Sequence, residues 1–228
     1  LGDGNGTFDA EVKYSTGSSC FELTAAEVTG DEHVDLLATS SAMPHVSLLE
    51  GKGDGTFGAP TDIVTGAGTF GGAGRITLGD LNHDDRLDIA TTGQQVILAT
   101  GDGTFGAPIG VFGADVPSSV GIGDFDGDGN RDLGYPGYDL GVTIMRGDGK
   151  GGFTNAGTPK TSIKPAGIAV ADFDGDGKDD VAVTITQGVV EILRGYAVTG
   201  LGGLKPYFAG NGPGSGLATD VTGDGKLD

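Results

Sequence analysis

The sequence predicts an all-β chain, a β-propeller or part of one, made of four-stranded antiparallel blades. Three observations lead there. An acidic loop recurs five times, with its first residues at 27, 80, 124, 172 and 220. A spacing of roughly 44 to 53 residues marks a repeat architecture, and strand-rich units of that size are typical of propeller blades. A Gly-rich turn recurs between the loops: Gly53-Asp-Gly-Thr-Phe-Gly-Ala-Pro60 and Gly101-Asp-Gly-Thr-Phe-Gly-Ala-Pro108 are identical, and Gly147-Asp-Gly-Lys-Gly-Gly-Phe153 is a longer relative. Finally, 47 glycines in 228 residues, no tryptophan and no apolar run of membrane-spanning length disfavour long helices and a membrane span.

Taken in order, the chain opens on the turn Leu1-Gly-Asp-Gly-Asn-Gly-Thr-Phe8, followed by a strand-like stretch over 10–15. Each repeat then has four parts. A first strand, such as 119–123, enters the acidic loop, and a second, such as 133–135, leaves it. A third strand (Val46-Ser-Leu-Leu, Val96-Ile-Leu, Val142-Thr-Ile-Met) alternates apolar residues and ends in the Gly-rich turn, and a fourth follows the Phe, which is how a hairpin reads. In the last repeat, residues 196–208 replace that turn by a longer Gly-rich connection. Residues 1–228 therefore form one propeller domain or part of one: four complete blades, a leading fourth strand and a trailing first strand. We expect a segment of a larger ring rather than a closed five-bladed one.

The most regular loop is Asp172-Phe-Asp-Gly-Asp-Gly-Lys-Asp-Asp180. Carboxylates at Asp172, Asp174, Asp176 and Asp180 can all be aimed at one point by a tight loop, and that point suits a cation. Ligands that are all oxygen, without Cys or His, select a hard ion, and a flexible loop with several carboxylates suits Ca²⁺ better than Mg²⁺. Gly175 and Gly177 permit the positive φ angles that such winding needs. An EF-hand would place Glu at the twelfth loop position between two helices; here that position is Val183, and the flanks, 168–170 and 181–185, read as strands. The pattern is complete at Asp124, Asp126, Asp128 and Asp132. It is nearly so at Asp80, Asn82, Asp84 and Asp88, and it keeps three of four acids at Asp220, Thr222, Asp224 and Asp228. The copy at 27–35 is degenerate, with Glu27 and Thr29 in place of Asp and Glu32 in place of the loop glycine. Three to five Ca²⁺ ions are expected, with the loops at 80, 124 and 172 occupied first, then 220, and that at 27 least.

A formal net charge of −19 argues against nucleic acid as a partner. Four divalent ions would offset about eight of those charges where the acids are densest. The single cysteine, Cys20, cannot form an internal disulfide and reads as a buried, inert thiol. Three Gly-x-Gly-x-x-Gly matches, at 53–58, 66–71 and 101–106, lack the following helix of a dinucleotide site and are turn glycines. Arg146-Gly-Asp148 spells an adhesion tripeptide, but the repeat turn already supplies its Gly-Asp. No motif for nucleophilic, phosphate or zinc chemistry occurs. Acids arranged as one repeated loop differ from the paired carboxylates a glycosidase holds across a cleft, so the segment reads as non-enzymatic.

The acidic loops together with Phe57-Gly-Ala-Pro60 and Phe105-Gly-Ala-Pro108 resemble the FG-GAP repeats, grouped with VCBS-type repeats, of integrin α-subunit propellers and many secreted microbial proteins. The resemblance covers nearly the whole chain. It implies that each loop joins the first two strands of a blade and that the first, third, fifth and ninth residues offer side-chain oxygens to calcium. The seventh, here Arg86, Asn130, Lys178 and Lys226, would offer its backbone carbonyl. It also implies a secreted or cell-surface adhesion module with a protein or glycan ligand on one propeller face. The irregular stretches 40–45, 66–74, 135–140 and 195–206, with Tyr135, Tyr138 and Tyr196, are the candidate binding loops. Two alternatives are an accessory, non-catalytic domain of a secreted hydrolase or lyase, and a structural subunit that self-associates head to tail through its unfinished blade edges.

Overall fold

The computed structural model describes residues 10–16, 20–40, 43–66, 74–111, 117–137, 141–162, 164–185, 187–196 and 200–208. Among them there is no helix; the fold is four antiparallel four-stranded sheets taken in chain order. The first contains β1 (Cys20–Ala26), β2 (Asp35–Ser40), β3 (His45–Leu49) and β4 (Thr61–Val64). In the second, β5 (Ile76–Gly79), β6 (Asp88–Thr91) and β7 (Gln95–Ile97) are followed by a small hairpin of β8 (Ala99–Gly101) and β9 (Thr104–Phe105), and then by the outer strand β10 (Ile109–Gly110). The third contains β11 (Gly121–Gly123), β12 (Asp132–Gly137), β13 (Gly141–Gly147) and β14 (Phe153–Gly157). The fourth contains β15 (Pro165–Ala171), β16 (Asp180–Ile185), β17 (Val189–Tyr196) and β18 (Gly200–Phe208).

Strand alternation gives each central sheet two apolar faces, and successive sheets bury them against each other. Leu37, Val46 and Leu48 of the first sheet meet Ile76, Ile89 and Ile97 of the second. On the other side of the second sheet, Leu81, Ala90 and Val96 meet Leu133, Tyr135 and Met145 of the third. Val142 and Ile144 then meet Val181, Val183 and Ile185 of the fourth. The three cores thus lie between sheets, not within them.

First strands of neighbouring sheets also touch. Glu22 Oε2 accepts the Ile76 N–H at 2.9 Å, Thr77 Oγ1 donates to the Val120 carbonyl at 2.7 Å, and Ser118 Oγ donates to the Ala166 carbonyl at 2.5 Å. Glycine makes this approach possible: a β-carbon on Gly121 would stand 2.7 Å from Val170 Cγ2. Fourth strands are exposed, as β4, β10 and β14 show, and so is β1 at the outer side of the first sheet. The second, third and fourth sheets therefore fan outward from the crowded first strands β5, β11 and β15.

Several expectations are corrected. Residues 10–16 form no strand; Tyr14 instead packs edge-on against Phe57 at 5.4 Å, and its hydroxyl accepts the Phe57 N–H. Cys20 is exposed at the start of an outer-facing strand. The Gly-rich stretch 196–208 is no connection, because its glycines pair with β17 as the long strand β18, Gly195 opposite Leu201 and Tyr196 opposite Gly200. Tyr135 lies fully buried in β12, where desolvation pushes its phenol pKa up, so it lines no binding loop. The turn at 1–8, Tyr138 and the loop at 220–228, with Asp220, Thr222, Asp224, Lys226 and Asp228, lie outside the described residues.

Candidate metal centre

Each acidic loop joins the first and second strands of its sheet, as its sequence flanks predict: 27–35 between β1 and β2, 80–88 between β5 and β6, 124–132 between β11 and β12, 172–180 between β15 and β16. The winding is common to all four. Gly127 and Gly129 hold φ values of 75° and 89°, Gly175 and Gly177 of 78° and 87°. In the second loop His83 and Asp85 take the same two places at 62° and 63°, and in the first Gly30 and Glu32 take them at 84° and 67°. The winding therefore survives without glycine at a conformational cost of about 1 kcal/mol for each such residue.

What enforces it is a set of carboxylate bonds to backbone N–H groups. Asp124 Oδ1 accepts from Gly127 and Asp128, and its Oδ2 from Gly129; Asp172 repeats this with Gly175, Asp176 and Gly177. Asp80 does the same with Asn82, Asp84 and Asp85, while Glu27 Oε1 reaches Thr29 and Gly30. The fifth residue closes the loop's second half: Asp31, Asp84, Asp128 and Asp176 each accept the N–H of the residue two further on.

The ninth residue also bonds at longer range. Asp35, Asp88, Asp132 and Asp180 are all buried, and each clasps two distant N–H groups. One belongs to the second loop residue: Val28, Leu81, Phe125 or Phe173. The other lies just past the third strand or at its end: Gly51, Ala99, Gly147 or Gly195, at 2.8 or 2.9 Å. Burial pushes the Asp132 carboxyl up to about 7, against the pull of its bonds from Gly147 and Phe125. Asp88 and Asp180 are raised by burial in the same way.

In two loops the remaining acids converge. One carboxylate oxygen from each of Asp124, Asp126 and Asp128 lies within 4.8 Å of the others, and Asp172, Asp174 and Asp176 form a second such triad. That spread matches about twice a Ca–O bond of 2.3–2.6 Å, so one hard cation can touch all three. At 80–84 the equivalent group has Asn82 between two acids, and Asn82 Nδ2 donates to Asp84 Oδ2 at 3.1 Å. The seventh residues turn their side chains outward to neighbours: Arg86 to Asp84, Asn130 to His83, and Lys178 to Asp176, whose carboxyl it holds below its usual range.

Four functional side chains have no place in the motif. Arg146 of β13 forms an ion pair with Asp126, and Arg194 of β17 pairs with Asp174 at 2.6 Å. Asp179, the eighth residue of the fourth loop, pairs with Arg131, the eighth of the third, at 3.1 Å. A legible signal existed for the first two: Arg146-Gly147 and Arg194-Gly195 stand in the same register of successive repeats. Beside these loops, a cleft of about 920 Å³ opens where β5, β11 and β15 meet, lined by Thr77, Gly79, Asp80, Ile122, Arg131 and Val170.

The model of the FG-GAP-like repeat matches residues 27–91 and 124–183, more than half of the chain. No curated protein sequence matches. Among solved structures, an Agrocybe aegerita lectin, described with specific recognition of non-reducing terminal N-acetylglucosamine, aligns with a TM-score of 0.58 at 22% identity, over 81% of this chain and 51% of that one. The Vibrio (V. cholerae) biofilm matrix protein Bap1 aligns with a TM-score of 0.58 at 20% identity, over 84% of this chain and 29% of that one. The chain thus spans about half the length of the first and under a third of the second, and at these identities the likeness concerns the fold.

Proposed function

Because this chain belongs to the FG-GAP-like repeat family, we propose that it is a calcium-stabilised run of propeller blades whose face binds a glycan or protein ligand. It would work as an extracellular adhesion or recognition module without catalysis of its own. The observation that carries this reading is the pair of aspartate triads on adjacent loops, at 124–128 and 172–176, each with the oxygen spacing of a hard cation. An ion bound there stabilises the native loops by mass action, since the unfolded chain holds no such site. The lectin and biofilm-matrix neighbours support a binding module over an enzyme. No helix among the described residues is long and apolar enough to cross a membrane.

Isothermal titration with CaCl₂ tests the metal half of the proposal: the wild type binds, and Asp176→Ala loses one site while the others remain. Unchanged stoichiometry in that variant would remove Asp176 from the ligand set. A glycan array probed with and without Ca²⁺ tests the recognition half, and calcium-dependent binding to no glycan redirects it to a protein ligand. One further observation favours additional blades. Leu23, on the face of β1 turned away from the second sheet, is 61% exposed. An apolar side chain so placed suits packing against another sheet. Light scattering distinguishes a monomer from assembly through that face.

A further inference from the structure

Arg146 and Arg194 each occupy the residue before the glycine whose N–H is clasped by the ninth aspartate of the loop, Asp132 or Asp180. From there the side chain reaches back to Oδ2 of the third loop residue, Asp126 or Asp174. Asp126 Oδ1 already accepts the Asp128 N–H. The corresponding residues of the other two sheets are Glu50, before Gly51, and Leu98, before Ala99, so neither supplies a cation. From this register guanidinium groups thus reach the two described loops where three aspartates converge, whereas at the 80–88 loop the guanidinium, on Asp84, is that of Arg86 from the loop itself. Both arginine side chains remain about two-fifths exposed, 38% and 39%, so each has a route to solvent.

We propose that Arg146 and Arg194 are internal competitors of the metal, resident cations that neutralise the third-position carboxylate in the metal-free loop and are displaced when a divalent ion binds. This rests on the calcium reading above. A Ca²⁺ ion at the triad would draw on the same Asp126 or Asp174 carboxylate that the guanidinium neutralises, and the two cations repel each other across it. Binding therefore swaps one charge-assisted contact for another. The metal-free loop is kept folded, and the ion is bound less tightly than the same aspartates would bind it alone. Loops with an arginine become sensors of calcium concentration in place of permanent holders.

The test is a CaCl₂ titration of the R146Q/R194Q variant beside the wild type, with melting curves in EGTA and in saturating calcium. Competition predicts calcium affinity about tenfold tighter at each of the two sites, a lower melting temperature in EGTA, and an unchanged one in calcium. An arginine that merely braces the sheet would lower both melting temperatures and leave affinity alone; one that orients the carboxylate for the ion would weaken affinity. Either result overturns the proposal. Should the double variant fail to fold, R146Q and R194Q singly are read in its place, each expected to tighten one site. Wild type that binds while no variant binds tighter defeats only this proposal. No calcium binding by wild type or variants defeats the calcium reading with it, whereas binding by the variants alone supports the competition in its strongest form.

Discussion

Asp124 and Asp179 hold each other in both directions. The Asp179 N–H donates to the Asp124 carbonyl at 2.8 Å, and the Asp124 N–H donates to Asp179 Oδ2 at 2.8 Å. Arg131 adds its Nη1 to the same carboxylate oxygen at 3.1 Å. The first residue of one loop is therefore fixed by the eighth residue of the loop on the next sheet. Asp179→Ala leaves the Asp124 N–H and the Arg131 guanidinium without that partner and should cost about 1–3 kcal/mol. Calcium affinity at the 124–128 triad should weaken although no ligand was touched. Urea denaturation of the variant checks the first and calorimetric titration with CaCl₂ the second, and an affinity equal to wild type would show that the two loops are independent.

The clasp of the ninth aspartate makes a separate claim. Asp132→Ala would bury unpaired N–H groups at Phe125 and Gly147 and remove two charge-assisted bonds, a loss of about 3 kcal/mol or more. Asp35→Ala should cost a similar amount, because Asp35 clasps Val28 and Gly51 in the same way within the loop whose other donors are poorest for metal. Urea denaturation in EGTA and again in saturating calcium measures both. If only Asp132→Ala is destabilised, and only when calcium is present, the ninth aspartate acts through the ion alone.

Gly147 owes its identity to contact, not to turn geometry. A β-carbon there would run into the Arg131 carbonyl, and one on Gly51 into the Val34 carbonyl. Gly147→Ala should therefore force the loop away and cost about 1–3 kcal/mol by overpacking. Gly58→Ala is the control, since its nearest neighbour would be the Glu50 carbonyl at an ordinary 3.7 Å. Equal melting temperatures for the two variants would contradict the contact.

Metal-free protein should be more stable at pH 5 than at pH 7.5. The Asp132 carboxyl, raised by burial to about 7 from 3.8, binds its proton more tightly in the folded chain than in the unfolded one. Its contribution is thus fully present below the unfolded value and is lost as pH rises through about 7. Asp88 and Asp180, raised in the same direction, add to that slope. Melting curves of stripped protein across this range decide it, and a rise in stability from pH 5 to 7.5 would reverse the sign assigned to burial.

The sequence by itself determined the features written within a few neighbouring residues. Period, loop register, the strands on either side and the positive φ of Gly175 and Gly177 all follow from local spacing, because a loop this tight is closed by bonds between residues two to five apart. The same local logic misread residues 196–208, where glycine suggested a connection but β17 offered a pairing edge that the backbone took regardless of side chain. Only the tertiary structure decided what lies between sheets. Tyr135 is buried because the second sheet covers it, and Cys20 is exposed at the start of β1, where its Sγ meets the Thr16 hydroxyl at 3.4 Å. Asp179 reaches Asp124 across 55 residues and from one sheet to the next. Such partners depend on how whole sheets stack, and stacking is set by the summed burial of many apolar side chains, which no short stretch of sequence specifies.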